Sequence, residues 1–265
     1  RARGNRDAGA GIRFGTVMNS ARHRTAHMTD ARIRALTLSF EALADPEHAV
    51  FHKAYHKSAM TFLGLRVPDL RRLVKEHIPM RPKLGRAEAF DLAAQLWDLK
   101  THEHRQAALI LLARVAKDLT LADLPTIKRM TRDVDGWALL DTLAVHFLGT
   151  GAVHHGDAML DKVRPWSKHS YLWTRRTSVL IHLGWTRAKL ELRPQAWSTF
   201  DELLEERSFF IRKAIGWTLR EACKLEPEKV RDFLIAHANR VSGLTRREGS
   251  RNLPEPMRLQ VLDHC

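Results

Sequence analysis

The sequence predicts an all-α fold, a solenoid of paired helices, and three observations carry that prediction. From Asp30 onward, apolar residues recur at intervals of three and four, the period of a helix with one buried face. Runs of Val, Ile and Thr long enough to make strands are missing. Helix-breaking positions recur throughout: Pro46, 65–68, 79–85, Pro125, Asp133, 149–151, Pro165, Gly184, Pro194, Ser208, Pro227 and 242–245. They delimit about a dozen helices of roughly 10 to 18 residues joined by short loops.

Each element has its own justification. Pro68-Asp-Leu-Arg-Arg-Leu and Pro227-Glu-Lys-Val-Arg-Asp-Phe place proline in a first helical turn, where its missing N–H costs nothing. The spans 86–116, 121–147, 153–184 and 194–223 each read as a helix pair, and they recur at roughly 35 to 40 residues, near the length of HEAT-type units. Short loops force neighbouring helices to run antiparallel, and stacked pairs share one continuous core. A plain globular helical bundle is the alternative on pattern alone.

Composition narrows the function. With 265 residues, 44% of them hydrophobic and 28% charged, the chain is long enough to bury a sizeable core and is not compositionally disordered. No stretch approaches ~20 consecutive apolar residues, and no leader pattern opens the sequence, so neither a membrane-spanning nor a secreted protein is expected. Cys223 and Cys265 are too few for a disulfide framework or a cysteine-based zinc site, which fits a reducing, cytoplasmic compartment. Lys and Arg number 44 against 30 Asp and Glu, a net +14 that points to a polyanionic partner. Residues 1–29 hold six arginines and one acid, Asp7, and read as a disordered basic tail. Either translation begins at Met18 or Met28, or the tail is an arm that feels for phosphate. Residues 30–265 form a single domain that is itself basic, with 38 bases against 29 acids. A basic solenoid offers a phosphate-lined cradle for nucleic acid.

Three segments break the helical pattern. In the helix expected over about 134–148, the stripe Trp137, Ala138, Asp141, Val145, Leu148 puts a carboxylate one turn from an indole among apolar residues. An Asp there is satisfied either by a neighbouring Arg or backbone N–H, or by a chemical role. In the helix expected over about 168–183, Arg176 is the one cation on the stripe Leu172, Arg176, Val179, Leu180, Leu183. Its guanidinium either snorkels to water or is held in a forked geometry for a phosphate or for Asp141. Arg175 beside it reads as a solvated neighbour. In the helix that Ser208 is placed to cap, Ile211, Ile215 and Leu219 make the buried side, and Trp217 lies off it between Lys213 and Arg220. An aromatic framed by cations suits nucleic acid, although tryptophan in a helix is about as often packing. Gly216 costs helix stability, which close approach of another backbone or a ligand would explain. His102-Glu-His104 and His154-His155 lack the one-turn spacing of metal ligands, and no metal or other cofactor is expected. P-loop, nucleophile-elbow and Cys-His constellations are also missing.

These residues resemble a known family. Phe209-Phe-Ile-Arg-Lys-Ala-Ile-Gly-Trp-Thr-Leu-Arg-Glu, followed by Leu244-Thr-Arg-Arg-Glu, resembles the C-terminal signature of the AlkD-type DNA alkylation repair family. Tyr55-His-Lys-Ser with Phe62-Leu-Gly-Leu and Pro68 resembles its N-terminal block, and Leu96-Trp-Asp-Leu with Gln106-Ala-Ala-Leu its second. Trp137-Ala-Leu-Leu-Asp141 and Trp173-Thr-Arg-Arg176 are similar to its Trp-x-x-x-Asp and Trp-x-x-Arg elements. The likeness runs from about Asp30 to Leu253. The chain departs from the family at Ala138, where Asp is common, at Gly136, where a larger residue is frequent, and in the C-terminal Arg-Glu-Gly-Ser-Arg-Asn.

The resemblance implies a right-handed superhelix of HEAT-like repeats with a concave, basic DNA-binding surface. It implies a DNA glycosylase that hydrolyses the N-glycosidic bond of N3- and N7-alkylated purines in double-stranded DNA; a monomer is the default expectation, and the cysteine usage fits a cytoplasmic, nucleoid-associated protein. By the same resemblance Asp141 is the catalytic carboxylate, Trp137 and Trp217 are the aromatic walls beside the lesion's deoxyribose, and Arg176 is an active-site or backbone contact. DNA contacts are then expected from Tyr55, Lys57, Trp173, Arg175, Arg212, Lys213, Arg220, Arg246 and Arg247. The family acts without turning the damaged base into a pocket. Such a base is already cationic and leaves without a proton, so the site needs no general acid; it needs an anion and electron-rich rings for the charge that grows on the sugar. A lyase step would require an unprotonated lysine, and Lys213 is the only one suspected. The competing classes are a non-catalytic helical-repeat DNA-binding protein and a protein-binding scaffold, the latter separable by its lack of salt-dependent DNA binding.

Overall fold

A computed structural model describes residues 30–79 and 84–264. The expectations for residues 1–29 and for Cys265 lie outside the described residues, as do residues 80–83 of the break expected at 79–85. No strand occurs among the described residues, which show only an isolated bridge between Thr61 and Thr101.

The α-helices follow in order: α1 (Ala31–Ala42), α2 (Pro46–His56), α3 (Val67–His77), α4 (Arg86–Asp98), α5 (His102–Arg114), α6 (Leu124–Asp133) and α7 (Trp137–Asp141). A π-helical segment, Thr142–Leu148, joins α7 to α8 (Gly149–His155). Then come α9 (Asp157–Val163), a 3₁₀ turn at Arg164–Lys168, α10 (Leu172–Leu180), α11 (Leu183–Arg187), α12 (Pro194–Leu203) and α13 (Phe209–Ala222). The last three are α14 (Pro227–Ala236), α15 (Gly243–Gly249) and α16 (Glu255–Asp263).

The ends of these helices obey local chemistry. Asp30, Asp45, Thr101 and Ser242 each accept a first-turn backbone N–H. Proline occupies the first or second position of α2, α3, α6, α12, α14 and α16. Ser208 precedes α13 as expected, but its side chain makes no capping hydrogen bond.

The packing sorts the helices into a chain of neighbours. α3 lies against α5, α5 against α7 and the π segment, α7 against α10, α10 against α13, and α13 against α15. This row carries Asp141, Arg176 and Trp217, and it shares one hydrophobic core running from Ile33 to Val261. α9, α12 and the Arg164–Lys168 turn pack on one another alongside it.

Two expected boundaries differ. The helix placed at 134–148 starts at Trp137, because Val134 and Gly136 are extended, and it continues through the π segment into α8. The break expected at 149–151 is therefore helical. Glycine stands there for close approach: a Cβ on Gly184 would fall 2.2 Å from the Gly149 carbonyl oxygen, and one on Gly151 would fall 2.7 Å from that of Ala116. The helix expected over 168–183 begins at Leu172 and bends after Leu180, so Leu183 opens α11.

Candidate active site

Asp141 and Arg176 are brought together by the contact of α7 with α10. Arg176 Nε donates to Asp141 Oδ1 at 2.9 Å and its Nη2 donates to Oδ2 at 2.9 Å, a forked pair. The remaining Nη1 donates to the Phe210 carbonyl oxygen at the start of α13, so one guanidinium ties three helices of the row together. Of the two readings of Arg176, the forked one to Asp141 is the geometry observed. Its side chain is 5% exposed, whereas that of Asp141 is 18% exposed, so the carboxylate is the open end of the pair. Burial holds the Asp141 carboxyl above its ordinary value, and the guanidinium offsets only part of that rise. Both oxygens accept N–H bonds from Arg176, an arrangement that suits the ionised form.

The stripe that contains Asp141 changes character along its length. Val145 and Leu148 are buried, while Trp137, Ala138 and Asp141 are only partly so. The π segment starts at the residue after Asp141, where Thr142 donates to the Ala138 carbonyl oxygen and accepts from Gln106. Wide turns of this kind are frequent at functional sites.

Trp137 is held from the N-terminal side. Its ring meets Tyr55 edge-on at 5.9 Å and His56 at 5.0 Å. Behind His56 lie Phe62 and His102, with ring centroids 4.4 Å apart and nearly parallel. Burial pushes the imidazoles of His56 and His102 down, the latter to about 3, so this support carries no charge at neutral pH. The Asp135 carboxylate accepts the Ser58 hydroxyl at 2.7 Å and the backbone N–H groups of Ala59 and Met60 at 2.7 and 3.2 Å. Glu103, fully buried, accepts those of Leu63 and Gly64 at 2.9 Å. Together they pin the segment after α2 to the approach to Trp137. Sequence reasoning missed Asp135, His56 and His102, most of whose partners lie 40 to 81 positions away, and no periodic signal marks them. Gly136 and Ala138 line a small cavity there.

Trp217 on α13 is partly exposed, as its place off the buried side predicts. Its flanking cations are engaged: Glu248 of α15 pairs with Lys213 at 2.6 Å and with Arg220 at 2.8 Å. Gly216 admits that approach, since a Cβ there would fall 2.6 Å from Glu248 Cβ. Of its two explanations, close packing of a neighbouring helix is the one observed.

The other expected DNA contacts divide. Tyr55 is 61% exposed, and Lys57, with a left-handed backbone at the end of α2, and Arg247 are exposed too. Arg175 is not a free surface cation; it pairs with Glu206 and donates to the carbonyl oxygens of His169 and Ser170. Arg212 donates to the Glu206 carbonyl oxygen, and Arg246 is half-buried. The expectation for Trp173 is corrected: its indole is 9% exposed and packs on Phe210 at 4.9 Å, so it supports Arg176 from within the core. His104 bonds Thr37 and Thr101, and no metal-binding cluster occurs among the described residues.

Fold and geometry thus define a helical-repeat protein with a largely buried carboxylate–guanidinium pair, one indole on the carboxylate's own helix and a second on α13. The sequence profile of the DNA alkylation repair enzymes matches residues 36–253, and the chain belongs to that family. A structure described as a predicted DNA alkylation repair enzyme from Enterococcus faecalis aligns with a TM-score of 0.71 at 22% identity, covering 80% of this chain and 97% of that one. AlkD2 from Streptococcus mutans aligns with a TM-score of 0.57 at 17% identity, covering 84% and 99%. At these identities the neighbours show the shared fold. No curated protein matches the chain. No helix among the described residues is long and apolar enough to cross a membrane.

Proposed function

We propose that this protein is a monofunctional DNA glycosylase that hydrolyses the N-glycosidic bond of cationic N3- and N7-alkylpurines in double-stranded DNA and leaves an abasic site. The observation that carries the reading is the Asp141 carboxylate, held at both oxygens by a buried arginine yet still open to solvent. It belongs to the same helix as Trp137, and in the row α10 lies between that helix and α13, which carries Trp217.

The chemistry follows from the substrate. An alkylated purine is already a cation, so its bond to the sugar breaks without protonation, and positive charge collects on the deoxyribose. A fixed anion lowers the energy of that charge in a site of low dielectric, and the indole faces add to it. Arg176 fixes the carboxylate's orientation and opposes the effect of burial, favouring its ionised form. The same carboxylate is the group available to orient the attacking water. The uncharged histidines behind Trp137 place no repelling charge beside the cationic sugar. Lys213 is ion-paired to Glu248, which supports hydrolysis over attack by an amine.

Duplex DNA carrying 7-methylguanine and 3-methyladenine is the test. Release of both bases, with strand breaks appearing only after alkali, is expected. Tight salt-sensitive binding without release would make the protein a non-catalytic lesion binder; strand breaks without alkali would overturn monofunctional action.

A further inference from the structure

Helix α2 differs from its neighbours in having no buried residue over its whole length. Its anchoring is at its ends. Asp45 caps the first turn and accepts the His48 N–H at 2.9 Å. Gly64, with φ +88°, lets the chain press against it: a Cβ there would fall 2.1 Å from the Asp45 carbonyl oxygen. At the other end Asp135 ties down 58–60. One side of α2 meets the body through His52 and His56 on Phe62.

The opposite side is apolar and open. Val50 is 72% exposed, Phe51 61% and Tyr55 61%. Phe51 and Tyr55 stack at 6.2 Å with their planes 14° apart, and Tyr55 in turn meets Trp137. A row of rings therefore runs from open solvent to the candidate active site. Exposed Lys53 lies one turn from Val50 and exposed Lys57 follows the end of the helix, while Glu47, one turn before Phe51, is the one acid within α2. A helix that displays aliphatic and aromatic groups beside lysines and leads into a DNA-repair site fits a polyanion with flat apolar faces inside it.

We propose that α2 is a wedge for duplex DNA, with Phe51 and Val50 pressed into the base step beside the lesion while Lys53 and Lys57 hold the flanking phosphates. Side chains that enter a groove and unstack a step in this way are large and apolar, and cations take the backbone on either side. The wedge would loosen stacking next to the damaged nucleotide and bring its sugar to Trp137 and Asp141. The proposal rests on the glycosylase reading for the identity of the duplex, but not on its chemistry.

The test is binding of the full chain to a 7-methylguanine duplex with 2-aminopurine at the adjacent position, whose fluorescence rises when it unstacks. The wild type and Asp141→Asn are expected to brighten the probe equally. Phe51→Ser and Val50→Ser are expected to lose most of that rise and bind about tenfold more weakly. Both positions are exposed, and a circular-dichroism melt of each variant checks its fold. Wild-type brightening and affinity in a folded Phe51→Ser would overturn the proposal. So would a concentration-dependent dimer of the wild type that Phe51→Ser abolishes, since the face would then belong to a second copy of the chain. Failure of base release with the fluorescence change retained would count against the glycosylase reading and not against the wedge.

Discussion

Two helices converge on the candidate active site from opposite conditions. In α10, every residue except Leu172 and Arg175 is buried, including the cation Arg176. In α2, none is. α10 is gripped by α6, α7, α12 and α13, and each of the three guanidinium nitrogens of its Arg176 donates to Asp141 or the Phe210 carbonyl. α2 is fixed at its ends and meets Trp137 through the rings of Tyr55 and His56. The part of the site assigned to chemistry is thus set by the core, where an angle or distance is hard to change. The part assigned to meeting the substrate is left with its apolar face uncovered.

Substitutions at the two helices should separate these roles. Arg176→Ala leaves a largely buried carboxylate without its partner, and should destabilise the fold by about 3–5 kcal/mol in urea unfolding. A loss under 1 kcal/mol would mean that α10 is not held through this pair. Next in size is Gly184→Ala, which drives a methyl into the Gly149 backbone beside the same helices and should cost about 1–3 kcal/mol.

The third effect is pH-dependent. His102 and His182 are pushed down to about 3 and His104 to about 4 by burial, against about 6.5 in an unfolded chain. Below pH ~6.5 the unfolded state takes up protons that these folded sites refuse, so their contribution to stability is full above that pH and falls as the pH drops toward 4. The raised carboxyls of Glu103 and Asp141 act in the opposite sense. Replacing His102 by Gln should therefore flatten the fall in melting temperature between pH 6.5 and 4; an unchanged slope would show that His102 takes up its proton in the fold as readily as in the unfolded chain. The smallest effect belongs to α2: Phe51→Ser should alter stability by no more than ~0.5 kcal/mol. A larger loss would show that its exposed face is structural.

Much of the buried half of the site was legible in the sequence, because a charge on an apolar stripe is visible locally. Asp141 and Arg176 each stood out on a 3.6-residue pattern, and their pairing was one of the readings that pattern allowed. Helix starts followed prolines and capping side chains for the same local reason. Glycine misled where it served packing: Gly149 and Gly151 read as a break, yet they lie inside a helix that another helix crosses closely. The ion pairs around Trp217 were illegible, since Glu248 is 35 positions from Lys213 and no spacing rule connects them. The same holds for Asp135, which organises the segment after α2 from 75 to 77 positions away. Exposed lysines and arginines predict DNA contacts only when their counter-charges are known, and those come from the fold.

The central claim is that the ionised Asp141 carboxylate performs the reaction while the rest of the surface holds DNA. It is tested most directly by single-turnover release of 7-methylguanine from one duplex by the wild type and by Asp141→Asn, with the dissociation constant measured on the same duplex. Removing a fixed charge from a developing cation should slow release by about 10²–10³-fold and leave affinity within about twofold. Release by Asp141→Asn at the wild-type rate would contradict the account, and the carboxylate would then be a structural partner of Arg176.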